Sequence, residues 1–222
     1  MSDGSSTIAG EVPSAPPRPP ADYQLRPATA DDIQRSKTML AQAFFDDPIF
    51  GWLIPEDGKR LAGLRHYFGI ELRHYVLPHG RVWTTTDLAG AALTLPPGAW
   101  RAPLRATMLE GRAFGIHLSR AARMGAAMEW HHTRKPREPH YYVRDIGVHP
   151  DMQGKGLGNA LMRPTLERCD REGVSAYIEA SSERSAALYE RLGFRHTKEL
   201  HVGSCPPLWL MFRPAVAIRA MS

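Results

Sequence analysis

The spacing of hydrophobic and polar positions predicts three helical regions in the first part of the chain. Residues 29–44 (TADDIQRSKTMLAQAF) place apolar side chains largely on one helical face, and Thr29 with Asp32 forms an approximate capping box before them. Residues 59–77 (KRLAGLRHYFGIELRHYVL) predict a second helix, which ends at the sequence Pro-His-Gly. Residues 101–134 are a longer helix-prone segment.

Shorter apolar segments bounded by glycine, proline or polar residues predict strands. They are YQLRPA (23–28), RVWTTTD (81–87), GAALTLP (90–96), EPHYYVRDIGV (138–148), VSAYIEA (174–180), FRHTKEL (194–200) and PLWLMFRP (207–214). Two more helices are predicted among the later strands, one running to Arg171 and one stopped by Gly193. This order predicts an α/β (α+β) architecture, with a single domain over residues 22–222 and a helical insert at about 101–137.

The first 21 residues have a different composition from the rest of the chain. Residues 1–21 hold five prolines and two large aliphatic side chains, so they are predicted to be a disordered tail. They lack the apolar core of a signal peptide, and no apolar run approaches the ~20 residues that span a bilayer. A cytoplasmic protein without membrane association is therefore expected. Cys169 and Cys205 are expected to be free thiols.

Basic residues are concentrated in one segment. The chain carries a net charge of +5, and residues 101–144 alone hold nine Arg or Lys against three Glu, which is +6. Such a band suits an anionic partner, namely a nucleic acid, a membrane surface or a polyphosphate cofactor. It is equally typical of a solvated helix surface, and both interpretations stay open.

A glycine-rich stretch, VHPDMQGKGLGNALM (148–162), joins a predicted strand to a predicted helix, as phosphate-binding turns do. A Walker A loop is excluded because His149 replaces its first glycine and Gly156 its Ser or Thr. The dinucleotide fingerprint fails because Asn159 or Leu161 stands where its third glycine belongs. The remaining pattern is Q/R-x-x-G-x-G/A, in the register of Gln153.

With its surroundings, this motif resembles the GNAT N-acetyltransferase family. The stretches EPHYYVRDIGVHPDMQGKGLGNALMRP (138–164) and YIEASSERSAALYERLGF (177–194) follow one another at the family's usual distance. They are most similar in pattern to the puromycin N-acetyltransferase branch. The resemblance implies a GNAT fold, a mixed and mostly antiparallel central sheet of about six to seven strands with a splayed parallel pair in the middle, flanked by helices.

The resemblance also implies a site for acetyl-CoA. The glycine turn would bind the pyrophosphate through backbone N–H groups, and the preceding strand would contact the pantetheine. Many family members have Asn seven residues before the catalytic tyrosine, whereas this chain has Ser182, which could cap a helix instead. The implied cofactor-binding residues are Ile146, Val148, Gln153, Gly154, Lys155, Gly156, Leu157, Gly158 and Ser182.

The resemblance assigns the general acid to Tyr189, whose phenol would protonate the departing thiolate. Glu179, at the carboxyl end of a strand whose alternate residues are apolar, is the candidate general base. Asp145, in the preceding strand, is the alternative base. Each of these acids could instead be solvated or paired in a salt bridge.

The acceptor is expected to lie against the segment FFDDPIFGW (44–52), with candidate substrate residues Phe45, Asp46, Asp47, Phe50 and Trp52. No metal is predicted, because adjacent His131 and His132 would point about 100° apart on a helix.

The predicted function is acetyl transfer to a small primary amine, aromatic or antibiotic-like, with antibiotic resistance as a candidate role. One alternative is acetylation of a protein lysine or N-terminus. A non-enzymatic alternative is a CoA-binding or nucleic-acid-associated regulatory module, although no nucleic-acid-binding motif accompanies the basic segment. Family members are often dimers, so a homodimer stays open.

Overall fold

The computed structural model describes residues 23–134 and 138–215, so the proposed tail and the end of the proposed insert lie outside the described residues. The strands are β1 (Leu25–Pro27), β2 (Arg81–Thr85), β3 (Gly90–Leu95), β4 (His140–Val148), β5 (Ser175–Ala180), β6 (Arg195–Leu200) and β7 (Leu208–Arg213). The α-helices are α1 (Ile33–Ala43), α2 (Pro48–Leu53), α3 (Asp57–Ile70), α4 (Leu77–His79), α5 (Leu104–Phe114), α6 (Leu118–His132), α7 (Leu157–Glu172) and α8 (Glu183–Arg191).

The strands form one sheet in the order β1-β2-β3-β4-β5-β7-β6. Every neighbouring pair is antiparallel except β4 and β5, which are parallel at the centre. This confirms the predicted fold class, a mostly antiparallel seven-stranded sheet with one parallel pair. Among the described helices, none is long and apolar enough to cross a bilayer.

Helices cover both faces of the sheet. On one face, Leu40 of α1 and Phe68 of α3 belong to the same buried cluster as Tyr142 of β4. On the other face, Leu166 of α7 packs in a cluster with Ile178 of β5. The central strands are therefore buried on both sides, as expected for a parallel pair.

Strands β4 and β5 separate towards their carboxyl ends. Their backbone pairing runs from His140 and Ser175 to Val143 and Ile178 and ends there, although β4 continues to Val148. A β-bulge interrupts the register between β3 and β4 at the same level. Strand separation and the bulge together open a gap in the middle of the sheet and re-aim the side chains beside it.

Two local features place helices around this gap. The helix-prone segment 101–134 forms α5 and α6, which are separated by a 3₁₀ turn that starts at Gly115 with φ +50°. The predicted helix at 59–77 is α-helical to Ile70 and then continues as a π-helical segment, Glu71–Val76. Such wide turns rotate side chains relative to a regular helix and often occur at functional sites.

Candidate active site

The gap between β4 and β5 opens into a cavity of about 640 Å³. The insert helices α5 and α6 form one wall, and the segment around α2 forms another. Catalytic candidates from three different elements, Asp145, Glu179 and Tyr189, line this cavity together. The structure thus brings together residues that lie far apart in sequence.

The glycine turn follows β4 and leads into α7. Gly154 and Gly156 have φ of +74° and +85°, and Gly156 is the N-cap of the 16-residue helix. A Cβ atom built on either glycine would meet nothing within 4 Å, so backbone conformation, not space, requires glycine there. A Cβ on Gly158 would touch Leu188 at 3.4 Å. Residues 153–156 of the turn are exposed, and the first-turn N–H groups of a helix such as α7 have no intrahelical partner.

Several of the proposed cofactor residues make contacts within the protein itself. The Gln153 amide donates to the Val148 carbonyl at 3.2 Å, which closes the turn. The Lys155 side chain is exposed, whereas that of Leu157 is buried, so Leu157 offers the turn only its backbone. Ser182 caps α8 by accepting from the Ser185 N–H at 3.2 Å. Their contacts with a cofactor stay predictions.

Tyr189 lies near the end of α8 and is 6% exposed. Its hydroxyl makes no side-chain hydrogen bond with the described residues, and the residue lines the cavity. Burial, followed by the charges of Asp145 and Asp47, raises the pKa of Tyr189 above its ordinary value. The phenol therefore carries its proton at neutral pH and has it available for a group in the cavity.

Glu179 is buried at the carboxyl end of β5, with its side chain 4% exposed. Burial raises the pKa of Glu179 to about 7, and the neighbouring phenols of Tyr142 and Tyr177 act in the opposite direction. Its Oε1 atom has no hydrogen-bond partner among the described residues. A carboxylate with a pKa near neutrality and a free oxygen suits a general base.

Two buried histidines extend from Glu179 towards the start of β4. His140 Nδ1 lies 2.8 Å from the Glu138 carbonyl, which can only accept, so Nδ1 carries the hydrogen. Burial lowers the pKa of both rings, to about 3 for His132, so both are neutral. His140 Nε2 is then an acceptor, and His132 Nε2 must donate to it across 2.7 Å. This leaves a lone pair on His132 Nδ1, 3.9 Å from Glu179 Oε1.

A second group of charged side chains, here called the acidic wall, consists of Glu71, Glu110, Arg144 and Asp145. Arg144 Nε donates to Glu71 Oε2 at 2.6 Å, and Arg144 Nη2 donates to Glu71 Oε1. Asp145 Oδ2 and Glu110 Oε1 have no hydrogen-bond partner among the described residues. Burial raises the pKa of Asp145 to about 7, which also keeps this residue a candidate base.

Of the five proposed acceptor residues, the cavity lining includes Asp47 and Phe50. Asp47 caps α2, accepting from the N–H groups of Ile49 at 2.9 Å and Phe50 at 3.1 Å. Ser181 donates to its other oxygen, and burial nevertheless raises the pKa of Asp47.

The other three proposed acceptor residues do not line this cavity. Phe45 lies under the Arg60 guanidinium at 5.2 Å, and Asp46 is exposed. The Trp52 indole donates to Ser204 at 3.1 Å.

Sequence reasoning missed His132, Glu71, Glu110 and Arg144. Glu71 offered a signal, because it is a lone carboxylate within the apolar run FGIELRHYV, where a buried charge needs a partner. Arg144 offered the same signal inside the strand HYYVRDIGV. His132 offered no comparable signal, because its partner His140 lies eight residues later in a separate strand.

Comparison with known proteins finds similarity to acetyltransferases. The model of the acetyltransferase (GNAT) family matches residues 105–194. An uncharacterised N-acetyltransferase of Schizosaccharomyces pombe is 28% identical over 207 residues, covering 83% of this chain and 80% of that protein. The mycothiol acetyltransferase of Corynebacterium aurimucosum is 35% identical over 75 residues, 32% of this chain. The chain spans about a quarter (24%) of that relative's length.

Solved structures share the same architecture. A Corynebacterium glutamicum structure described as histone acetyltransferase HPA2 and related acetyltransferase has a TM-score of 0.67 and 25% identity, covering 87% of this chain and 97% of its own. The Drosophila melanogaster polyamine N-acetyltransferase has a TM-score of 0.55 and 18% identity, covering 87% and 100%. The chain has the GNAT fold, and over residues 105–194 it is similar to the GNAT acetyltransferase family. These comparisons do not show the puromycin N-acetyltransferase branch.

Proposed function

We propose that this protein transfers the acetyl group of acetyl-CoA to the primary amine of a small molecule, aromatic or antibiotic-like, by direct attack in a ternary complex. The observation that carries the proposal is that a protonated phenol, Tyr189, and a carboxylate with a pKa near 7, Glu179, line one cavity where β4 and β5 separate. This pairs an acid with a base across the place where a thioester and an amine would meet.

The chain has the features that an acetyl-CoA molecule requires. The left-handed turn at Gly154 and Gly156 precedes the N-terminus of α7, whose N–H groups and dipole favour the pyrophosphate. The part of β4 after Val143 has no partner on the β5 side, so backbone groups near Ile146 and Val148 could hold the pantetheine arm. When bound there, acetyl-CoA supplies the activated acetyl thioester.

The side chains then move the protons. Glu179 accepts the proton of the acceptor's ammonium, directly or through water, and Tyr189 donates its hydroxyl proton to the departing sulfur. The lone pair on His132 Nδ1 gives the proton on Glu179 an exit, because His132 can pass its Nε2 hydrogen on to His140. The proton that arrives at His140 Nε2 is balanced when the ring releases its Nδ1 hydrogen to solvent, which is close because Glu138 and Pro139, beside His140, are exposed.

The proposal is tested by measuring thiol release from acetyl-CoA with a panel of amines, lysine peptides and N-terminal peptides. We expect turnover with small amines and a fall in kcat of about 10–10³-fold in Tyr189→Phe, with acetyl-CoA affinity nearly unchanged. The matched control is Tyr141→Phe, which removes a phenol that donates to Glu172 and does not line the cavity. A Tyr189→Phe enzyme as active as the wild type would exclude Tyr189 from the mechanism.

A further inference from the structure

Glu110, on insert helix α5, is a buried carboxylate that the proposed acetyl transfer does not use. It is 7% exposed and lines the cavity, and its Oε1 atom has no hydrogen-bond partner among the described residues. Burying an unpaired carboxylate costs free energy, so its presence calls for an explanation in terms of binding.

The cations near Glu110 are already engaged. Arg144 forms a two-bond ion pair with Glu71 and also donates to the Tyr67 hydroxyl at 3.2 Å. Arg101, the other arginine in the described cavity lining, lies on the rim and pairs with Glu129 at 3.4 Å. The carboxylates of the lining therefore outnumber its free cations. They are Asp47, Glu110, Glu129, Asp145 and Glu179.

Protonation, instead of a paired cation, neutralises Glu110. Burial, followed by the charge of Glu71, raises the pKa of Glu110. Hydrogen bonding of the protonated carboxyl to Glu71 and the charge of Asp145 add to the effect, while Arg144 opposes it. A carboxyl group that holds a proton at neutral pH only because no cation is present will release the proton when a cation binds.

We propose that the acceptor carries a second cationic group, an ammonium or guanidinium, and that Glu110 binds it. The inference rests on the proposed function, because the first amine of the same molecule must face Glu179. Phe50, Phe114 and Met124 also line the cavity and provide an apolar surface for a hydrocarbon spacer. The substrate class is therefore diamines and amines with a terminal guanidinium.

Matched acceptors test this directly. Each member of a series of unbranched diamines is paired with the monoamine of the same length, and kcat/KM is measured for both. We expect the wild type to prefer the best diamine by about 10–100-fold, the range for a hydrogen bond to a charged group. Glu110→Gln should abolish the preference and leave kcat/KM for the monoamine within about two-fold.

Glu129→Gln is the control, since this insert glutamate also lines the cavity but is 60% exposed and paired with Arg101. It should retain the diamine preference. Glu110→Gln is expected to fold with an equal or higher Tm, because it removes an unpartnered buried carboxylate and keeps the shape of the side chain.

Calorimetry of diamine binding, in buffers of different ionisation enthalpy and without acetyl-CoA, separates this inference from the proposed function. The wild type should release protons on binding, and Glu110→Gln should release fewer and bind more weakly. Equal treatment of diamines and monoamines, or a diamine preference that survives Glu110→Gln, overturns the subsite. Diamine binding with proton release but no turnover of any amine would retain the subsite and contradict the acetyl-transfer proposal.

Discussion

The glycine turn at residues 153–158 and the acidic wall are built differently. The turn presents backbone N–H groups fixed by two positive-φ glycines within six consecutive residues. The acidic wall presents side chains from the π-helical segment, α5 and β4, which meet only through the tertiary fold. A site made of local backbone can be recognised from the spacing of residues in the sequence. A site made of distant side chains depends on how the elements of the fold pack together.

The largest expected effect is on the side-chain part of the site. Glu179→Gln should lower kcat/KM by about 10²–10⁴-fold, because the variant cannot accept the ammonium proton. The wild-type rate should rise as the pH increases through about 7, since Glu179 acts only when deprotonated, and the variant should lose this dependence. Steady-state kinetics between pH 5 and 9 would check both the fall in kcat/KM and its pH dependence. The expected fall is of the size typical of general-base catalysis.

Asp145→Asn is the companion variant, because Asp145 is the alternative base with a pKa also raised to about 7. If the rate of Asp145→Asn no longer rises with pH while the rate of Glu179→Gln still does, Asp145 is the general base. Neither substitution should lower the free energy of unfolding above pH 7. Each folded-state pKa exceeds the unfolded value, so ionisation of these buried groups destabilises the fold as the pH rises.

The backbone part of the site should respond differently. Gly156→Val places a β-branched residue at φ +85°, which costs about 1–2 kcal/mol or more and redirects the N–H groups of the turn. Acetyl-CoA affinity should fall by about ten-fold or more, with kcat at saturation much less affected. Isothermal titration calorimetry with acetyl-CoA measures the first quantity.

Gly98→Val provides the control, because Gly98 also has a positive φ, +84°, and open space around it. Both variants should lose comparable thermal stability. Normal acetyl-CoA affinity in Gly156→Val, or an equal loss in Gly98→Val, would contradict the pyrophosphate assignment.

The sequence predicted the donor side in detail because its information is local. The strand 138–148, the turn and α7 follow one another directly. The order of elements indicated an α/β (α+β) architecture, and the mixed sheet with its central parallel pair was implied by the resemblance to the GNAT family. The bulge in β4 and the π-helical segment after Ile70 were not predictable, since both depend on how neighbouring elements pack. Asp47 shows the same limit. Its position in an aromatic turn indicated an acceptor site, while its hydrogen bonds show a helix cap that also borders the cavity.

A smaller effect is expected from the histidine pair. His132→Phe keeps a flat ring on Trp100, against which His132 stacks at 4.2 Å, but removes the nitrogen that faces Glu179. We expect kcat to fall by less than about ten-fold. In the companion variant His132→Ala, which leaves room for a ring, added imidazole should partly restore kcat by carrying the proton instead. His131→Phe, one residue away on α6, should be unaffected. Absence of imidazole rescue in an impaired His132→Ala enzyme would exclude the proton route.

The smallest effect concerns Ser182, which caps a helix and is also a proposed cofactor contact. Its hydroxyl caps α8, so Ser182→Ala should lower the free energy of unfolding by about 0.5–2 kcal/mol. Ser182→Asn keeps a capping side chain and, by resemblance to the family, restores the amide that contacts pantetheine. It should therefore retain the wild-type Tm and bind acetyl-CoA more tightly, by a few-fold at most.

Thermal melts and calorimetry on the Ser182 variants distinguish the two roles of this side chain. If Ser182→Ala melts earlier but binds acetyl-CoA normally, and Ser182→Asn brings no gain in affinity, the residue is a cap alone and leaves the list of cofactor contacts. If affinity changes in both variants while Tm changes only in Ser182→Ala, one hydroxyl serves both regions. In that case α8, which carries Tyr189 as well, would couple helix stability to the placement of the acid.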